Sequence, residues 1–115
     1  MDPECIFCRI AAHEIPSEIV HESEDVVAFR DTNPQAPTHI LLIPKDHVPS
    51  MRELGDKHGD MLGELFASAA HLARAEGIDD TGWRIVANVG PDAGQSVDHL
   101  HFHLLGGRSM RWPPG

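Results

Sequence analysis

Positions 99–105 read His-Leu-His-Phe-His-Leu-Leu, so histidine alternates strictly with bulky apolar residues. This period of two is typical of a β-strand with one buried face. On such a strand Leu100, Phe102 and Leu104 would point into a core, and the three histidines would share the opposite face. Packing alone does not account for three imidazoles in register, so the pattern indicates an active site.

The spacing limits what these imidazoles can do together. A strand rises about 3.3 Å per residue, so His99 and His103 would stand roughly 13 Å apart. Zinc holds its nitrogen ligands at about 2.0–2.1 Å, so a straight strand cannot bring all three histidines to one ion. At least one histidine therefore has another task. His101, in the middle, is the best candidate, because neutral imidazole serves as nucleophile or general base near neutral pH.

Length and composition favour one globular domain spanning 1–115. The chain has 115 residues, of which 41% are hydrophobic, enough for a core without disulfide bonds. Its formal charge of −9 argues against non-specific binding to nucleic acid or anionic membranes, although a local cluster of histidines and N–H groups could hold a phosphate. The sequence has no stretch of about 20 apolar residues and does not begin like a signal peptide, so we expect a cytoplasmic protein.

The hydrophobic pattern predicts an α+β domain with a mostly antiparallel five-stranded sheet. A short helix is expected over 6–12, and a long one from about Met51 or Asp56 to Glu76, followed by Gly77 at the C′ position. The long helix carries a stripe of small residues at every fourth position, suited to close approach by a second subunit or by the protein's own sheet. The stripe consists of Gly55, Gly59, Gly63 and Ala67. Strands are expected over 18–22, 26–30, 38–43, 83–89 and 97–105.

Two further motifs suggest chemistry. The loop over 90–96 leads directly into the histidine stretch, and its Gly90 and Gly94 allow a tight turn in which consecutive N–H groups could cradle a phosphate. Cys5 and Cys8 form a C-x-x-C, which in a cytosolic protein indicates metal binding or redox chemistry rather than a structural bridge. Its position at the N-terminus disfavours the redox interpretation. A metal site would need two more ligands, and free buried cysteines are the simpler alternative.

The histidine stretch resembles the His-φ-His-φ-His-φ-φ signature of the histidine triad (HIT) superfamily of nucleotide hydrolases and transferases. The flanking words over 94–97 and 105–108, the ending Trp-Pro-Pro-Gly at 112–115, and Pro-Gln-Ala-Pro-Thr-His at 34–39 look like its Hint branch. The resemblance spans nearly the whole chain. It implies a HIT-like fold with one long and one short helix, and a homodimer in which two five-stranded sheets join into one.

The implied activity is hydrolysis of the P–N bond of a purine nucleoside phosphoramidate, with no cofactor needed for catalysis. By resemblance His101 is the nucleophile, and passes through a covalent nucleotidyl-imidazole. His103 and Ser96 contact phosphate oxygens, and His39 completes the cluster. The remaining positions implied to bind the nucleotide are Asp31 at the ribose, Phe7, Ile10, Phe29 and Leu41 at the base, and Asn88, Gly94 and Gln95 at the phosphate.

Some relatives also hold a structural zinc, and the corresponding residues here are Cys5, Cys8, His47 and His99. This set leaves His101 and His103 for chemistry. Asp98 departs from the branch, where an aromatic residue is common, and has no assigned role. Trp112 is a candidate for leaving-group selection at a neighbouring subunit's site, or for dimer packing. The alternative functions are a dinucleoside polyphosphate hydrolase and a nucleotide- or zinc-binding regulatory module.

Overall fold

A computed structural model describes residues 2–115 and contains one five-stranded antiparallel sheet. The strand order is β1-β2-β3-β5-β4, so β3 is central and β1 and β4 form the edges. Every pairing among these strands is antiparallel, as the short predicted connections required. The strands are β1 Ile19–Glu22, β2 Val26–Arg30, β3 Thr38–Pro44, β4 Trp83–Val86 and β5 Phe102–Gly106.

Helix α1 spans Ile6–Ala11 and helix α2 spans Gly59–Ala75. The predicted start of the long helix at Met51 or Asp56 is wrong: extended backbone at Leu54 and Gly55 separates Met51 from the helix, and Asp56–His58 form a 3₁₀ turn before α2 begins at Gly59. That segment instead forms two 3₁₀ turns, Met51–Glu53 and Asp56–His58. The C-terminal signal is confirmed: Gly77 adopts φ 74°, which a glycine accepts without a steric penalty, and the chain leaves the helix there. No helix within residues 2–115 has the length and apolar character needed to span a bilayer.

The two faces of the sheet have different coverings. One face packs against α2, and its core includes Leu100, Phe102 and Leu104, as the alternation predicted. The other face is covered by α1 and the N-terminal cysteines only around β2 and β3. Its remaining area, over β3 and β5, carries His39 and His103, which lie diagonally across the two paired strands. The sheet therefore separates a hydrophobic core from a face that bears the histidines.

The predicted limits of the last two strands are wrong. β5 begins at Phe102 rather than at 97, and β4 ends at Val86 rather than at 89. Beyond the pairs Leu42–Phe102 and Val86–His103 the ladder has no further partners. The N–H of Leu100 donates instead to the carbonyl of Val48 at 2.6 Å. His99 and His101 thus precede the regular strand, and their rings are free to take separate directions.

The stripe of small residues lies only partly on α2, because Gly55 precedes the helix, and Gly59, Gly63 and Ala67 face away from the sheet. Its three glycines and Ala67 are exposed, and a Cβ added at Gly55, Gly59 or Gly63 would meet nothing within 4 Å. Packing of this stripe on the protein's own sheet, one of the two predicted alternatives, is therefore wrong. Leu65, Ala69 and Leu72 face the sheet instead.

Candidate active site and metal centre

A main-chain carbonyl sets the orientation of His101, the predicted nucleophile. The Nδ1–H of its ring donates to the carbonyl oxygen of His99 at 2.7 Å, and the ring is buried with 7% of its surface exposed. Because Nδ1 carries the proton in the neutral ring, Nε2 presents its lone pair. Phe7 packs edge-on against the imidazole at 5.1 Å between ring centres, and fixes its plane from the other side.

A second main-chain group sets the protons of His39 and His103. The N–H of Gln35 donates to Nδ1 of His39 at 3.0 Å, so the neutral His39 carries its proton on Nε2. That Nε2–H then donates to Nδ1 of His103 at 2.9 Å. His103 must therefore carry its own proton on Nε2, which makes it a hydrogen-bond donor. We call this chain, from the Gln35 N–H through His39 to His103, the relay.

Burial keeps the relay neutral. It lowers the pKa of His103 to about 4, with further lowering by His101 and His39 and an opposing effect of Asp31. Burial likewise lowers the pKa of His39, again opposed by the Asp31 carboxylate. The ring of His103 lies 5.2 Å from that of His101 between centres. The site thus combines an unprotonated nitrogen and a neutral N–H donor side by side.

Asp31, His39 and His103 bring three potential ligand atoms within 4.8 Å of one another. The tautomers nevertheless make this group unsuited to a metal. A cation at Nε2 of His39 would move the proton to Nδ1, where it would face the N–H of Gln35. Asp31 instead caps its own loop, accepting the Asn33 N–H at Oδ1, while Oδ2 lies 3.4 Å from Nε2 of His39.

Cys5, Cys8, His47 and His99 form a cluster able to hold a metal ion, which we call the metal cage. Cys5 and Cys8 come from the start of α1, His47 follows β3, and His99 precedes β5. The Nδ1 atom of His99 lies 3.3 Å from Cys5 Sγ, 3.5 Å from Cys8 Sγ and 3.3 Å from Nδ1 of His47. Cys8 Sγ lies 3.3 Å from Nδ1 of His47.

These distances fit a tetrahedral ion. With bonds of about 2.0–2.3 Å, the edges of the ligand tetrahedron are about 3.3–3.8 Å long. The orientation of His99 also fits, because its Nε2–H donates to the carbonyl of Pro44 at 2.8 Å and its Nδ1 lone pair faces the cage. Burial lowers the pKa of His99 to about 4, which keeps that lone pair unprotonated. A Cys₂His₂ donor set is one that zinc prefers.

The glycine loop before the histidines is closed on itself. Gly90 and Gly94 have φ of 79° and 77°, and the guanidinium of Arg52 lies where a side chain on Gly90 would begin. The N–H groups of Gly90, Gly94 and Gln95 all donate within the loop. The Gln95 amide also donates to the carbonyls of Pro49 and Val97. Ser96, just after the loop, is exposed, and Asn88 is half-buried.

The four apolar residues predicted at the base lie together on the histidine face. Phe7 and Phe29 pack edge to face at 5.5 Å between ring centres, and Ile10 and Leu41 belong to the same buried cluster. This cluster lies beside His101 through Phe7. The structure therefore brings the predicted base residues to the predicted nucleophile.

Sequence reasoning missed the groups that set the protons. The Gln35 N–H and the carbonyls of Pro44 and His99 decide which nitrogen of each imidazole is free, yet a main-chain group leaves no signal in residue type. In the sequence Gln35 stands out only as part of the Pro-Gln-Ala-Pro-Thr-His motif at 34–39, and Pro44 carries no signal of its role. Their neighbours in the fold, rather than their side chains, give them this role.

The chain belongs to the HIT domain family, whose model matches residues 12–110. It is 48% identical to a crystal structure titled HIT family hydrolase from Legionella pneumophila Philadelphia 1, with a TM-score of 0.95, covering 97% of this chain and 100% of that one. Fold and site thus place it among the HIT family hydrolases.

Two curated relatives extend this comparison. A 14 kDa zinc-binding protein of Zea mays is 52% identical over 99% of this chain and 90% of its own length. The purine nucleoside phosphoramidase of Escherichia coli K12 is 46% identical over 96% of this chain and 92% of its own length.

Proposed function

We propose that this protein hydrolyses the P–N bond of purine nucleoside 5′-phosphoramidates. The observation that supports this most directly is the Nδ1–H of His101 bonded to the His99 carbonyl, which leaves Nε2 as a lone-pair nucleophile. The name of the Escherichia coli relative supports the choice of substrate. Both requirements of a phosphoryl-transfer site, a positioned nucleophile and neutral donors beside it, are met here.

The reaction proceeds in two steps. Nε2 of His101 attacks the α-phosphorus, a P–N bond forms to the imidazole, and the bond to the substrate nitrogen breaks as that nitrogen takes up a proton from solvent and leaves as an amine. Water then attacks the nucleotidyl-imidazole and gives up a proton to solvent, which releases the nucleoside monophosphate and restores the Nε2 lone pair of His101. The Nε2–H of His103 donates to a phosphate oxygen and stabilises the charge that builds up there.

The other site residues complete substrate binding. Ser96 donates its exposed O–H to the phosphate together with Asn88, and Gly94 and Gln95 would bind the phosphate by exchanging the hydrogen bonds they make within the loop. Asp31 accepts hydrogen bonds from the ribose hydroxyls. The base lies against the apolar cluster of Phe7, Ile10, Phe29 and Leu41.

Release of nucleoside monophosphate from adenosine 5′-phosphoramidate, by wild type and by His101→Ala, tests the activity. Wild type should turn the substrate over, and the variant should lose at least about 10⁴-fold in kcat while still binding the monophosphate. A variant that retains most of its activity contradicts the mechanism. Wild type that cleaves diadenosine polyphosphates but not the phosphoramidate indicates the polyphosphate hydrolase. Wild type that binds nucleotide without cleaving either substrate indicates the regulatory module.

We further propose that the metal cage holds one structural zinc ion. The ligand distances and the donor set support this, as does the name of the Zea mays relative. When bound, zinc would tie α1, the segment after β3 and the segment before β5 to one point. Metal analysis of protein purified without chelator should give about one zinc per chain, and a value near zero in reduced protein contradicts the proposal.

We also propose that the protein is a homodimer. Three features of the described chain support this: the exposed small residues Gly59, Gly63 and Ala67 of α2, the 45% exposed Phe66 on the same helix, and the unpaired edge of β4. Trp112, 83% exposed in the single chain, is the residue we expect at or near the partner's site. Light scattering should give a mass close to twice 12.6 kDa, and a monomeric mass at micromolar concentration contradicts this.

A further inference from the structure

The two histidines of the metal cage are supported differently on their outer sides. His99 is fully buried, and its Nε2–H is bonded to the Pro44 carbonyl at 2.8 Å. His47 is partly exposed, and its Nε2 faces the carboxylate of Asp2, with Oδ2 at 4.0 Å. Ligating histidines usually donate their other N–H to a carbonyl or a carboxylate, which fixes the tautomer and orients the ring. Asp2 occupies that position for His47.

The N-terminal segment aims the Asp2 carboxylate at His47. The carbonyl of Asp2 accepts the N–H of Cys5 at 3.0 Å, which closes a turn just before α1. Oδ1 of Asp2 accepts the N–H of Glu4 at 2.9 Å, so the other oxygen is left to face the imidazole. The Asp2 carboxylate thus faces the cage through Oδ2.

We propose that Asp2 is a positioning residue for the metal: it accepts the Nε2–H of His47 and thereby holds the Nδ1 lone pair towards the ion. This inference rests on the proposed zinc site. The side chains of His47 and Asp2 are 25% and 44% exposed, and the role requires the 4.0 Å between Nε2 and Oδ2 to shorten to hydrogen-bond distance. The role is independent of catalysis, because Asp2 has no contact with His101 or His103 in the described structure.

Glu4 provides a matched control. It lines the same surface depression as Asp2, next to Cys5 and His47, and it carries the same charge. Its side chain makes no hydrogen bond or ion pair within residues 2–115. Glu4→Gln therefore removes one negative charge from the open side of the cage without removing the partner of His47.

The test is zinc affinity, measured by competition with a chromophoric chelator for wild type, Asp2→Asn, Asp2→Leu and Glu4→Gln. Asparagine can keep the bond to the Glu4 N–H, but its NH₂ group then meets the His47 N–H. Both Asp2 variants should therefore bind zinc about 10–100-fold more weakly. Glu4→Gln should stay within about 3-fold of wild type.

Equal affinity of wild type and the Asp2 variants overturns the assignment. Weakening by Glu4→Gln as large as that by Asp2→Asn also overturns it, because a general effect of charge then suffices. Both results leave the zinc site itself standing. Wild type that binds no zinc overturns the zinc proposal and this inference with it, so the two failures are distinguishable. Asp2→Asn is isosteric, and circular dichroism of each variant checks the fold.

Discussion

The metal cage and the relay each bring nitrogen atoms of two histidine rings about 3 Å apart on the same face of the sheet. A proton lies between the two nitrogens in the relay but not in the cage. In the relay the Gln35 N–H occupies Nδ1 of His39, so His39 donates to His103 at 2.9 Å. In the cage the Pro44 carbonyl accepts a hydrogen bond from the Nε2–H of His99, so the unprotonated Nδ1 faces two sulfurs and another nitrogen. The main-chain donor at His39 therefore makes that ring a hydrogen-bond donor to His103, and the main-chain acceptor at His99 leaves its Nδ1 available as a metal ligand.

His99 connects the metal cage to His101, the proposed nucleophile. Its ring belongs to the cage, and its carbonyl accepts the Nδ1–H of His101. An ion in the cage would hold that carbonyl in place, although it lies outside the reaction path. If the cage binds metal and the relay serves catalysis, variants of the cage should change zinc content and melting temperature most. Variants of the relay should change kcat/KM, and the effect of pH on stability should be the smallest.

Loss of a cage ligand should have the largest effect. Cys8→Ala should lower the zinc content from about one ion per chain to near zero. The melting temperature should fall by roughly 10–15 °C, because a ligand present at 1,000 times its Kd stabilises a fold by about 4 kcal/mol. Calorimetry with and without chelator checks this, since the chelator should destabilise wild type but not the variant. A variant that still carries one zinc would show that Cys8 is not a ligand.

Breaking the relay should affect turnover and spare the metal. His39→Leu removes the donor to Nδ1 of His103, so that ring is no longer held as an Nε2–H donor. We expect kcat/KM for the phosphoramidate to fall about 10²-fold with unchanged zinc content. His71→Leu, on the exposed side of α2, is the matched control and should behave as wild type. Nitrogen NMR of the imidazoles gives a separate readout. An unchanged His103 tautomer in His39→Leu would contradict the role of His39 in setting it.

Mild acid should destabilise the fold through the relay. The folded pKa of His103 is about 4, against an ordinary value of 6.5, because burial and the neighbouring His101 and His39 outweigh Asp31. Between these pH values the unfolded chain binds a proton that the folded ring does not. The stabilisation is therefore complete above about pH 6.5 and is lost as the pH falls towards 4.

We expect this loss to be about 1–2 kcal/mol, once the partial exposure of the ring is allowed for. Urea unfolding of wild type and His103→Asn at pH 7.5 and pH 5 measures it. Because acid also affects the cage in both proteins, the difference between them isolates His103. Parallel losses in the two proteins would show that His103 is already protonated or solvated in the fold.

Sequence patterns predicted the architecture and part of the clustering of side chains. The alternation over 99–105 predicted that Leu100, Phe102 and Leu104 enter one core, and the C-x-x-C predicted a cluster with ligands from elsewhere. The limits of β4, β5 and α2 were less predictable, because they depend on where partner strands and extended residues lie. The stripe of small residues was visible in the sequence, but the face it occupies was not.

The sequence by itself determined which chemical groups are available: the five histidines and two cysteines of the metal cage and the catalytic site, out of nine histidines in all, and a glycine loop just before three of those five. Only the tertiary structure decided which nitrogen of each histidine is free. That choice depends on three main-chain groups: the N–H of Gln35 and the carbonyls of Pro44 and His99. Every residue except proline carries both groups, so their use cannot be read from residue type and depends on the positions that the fold gives them.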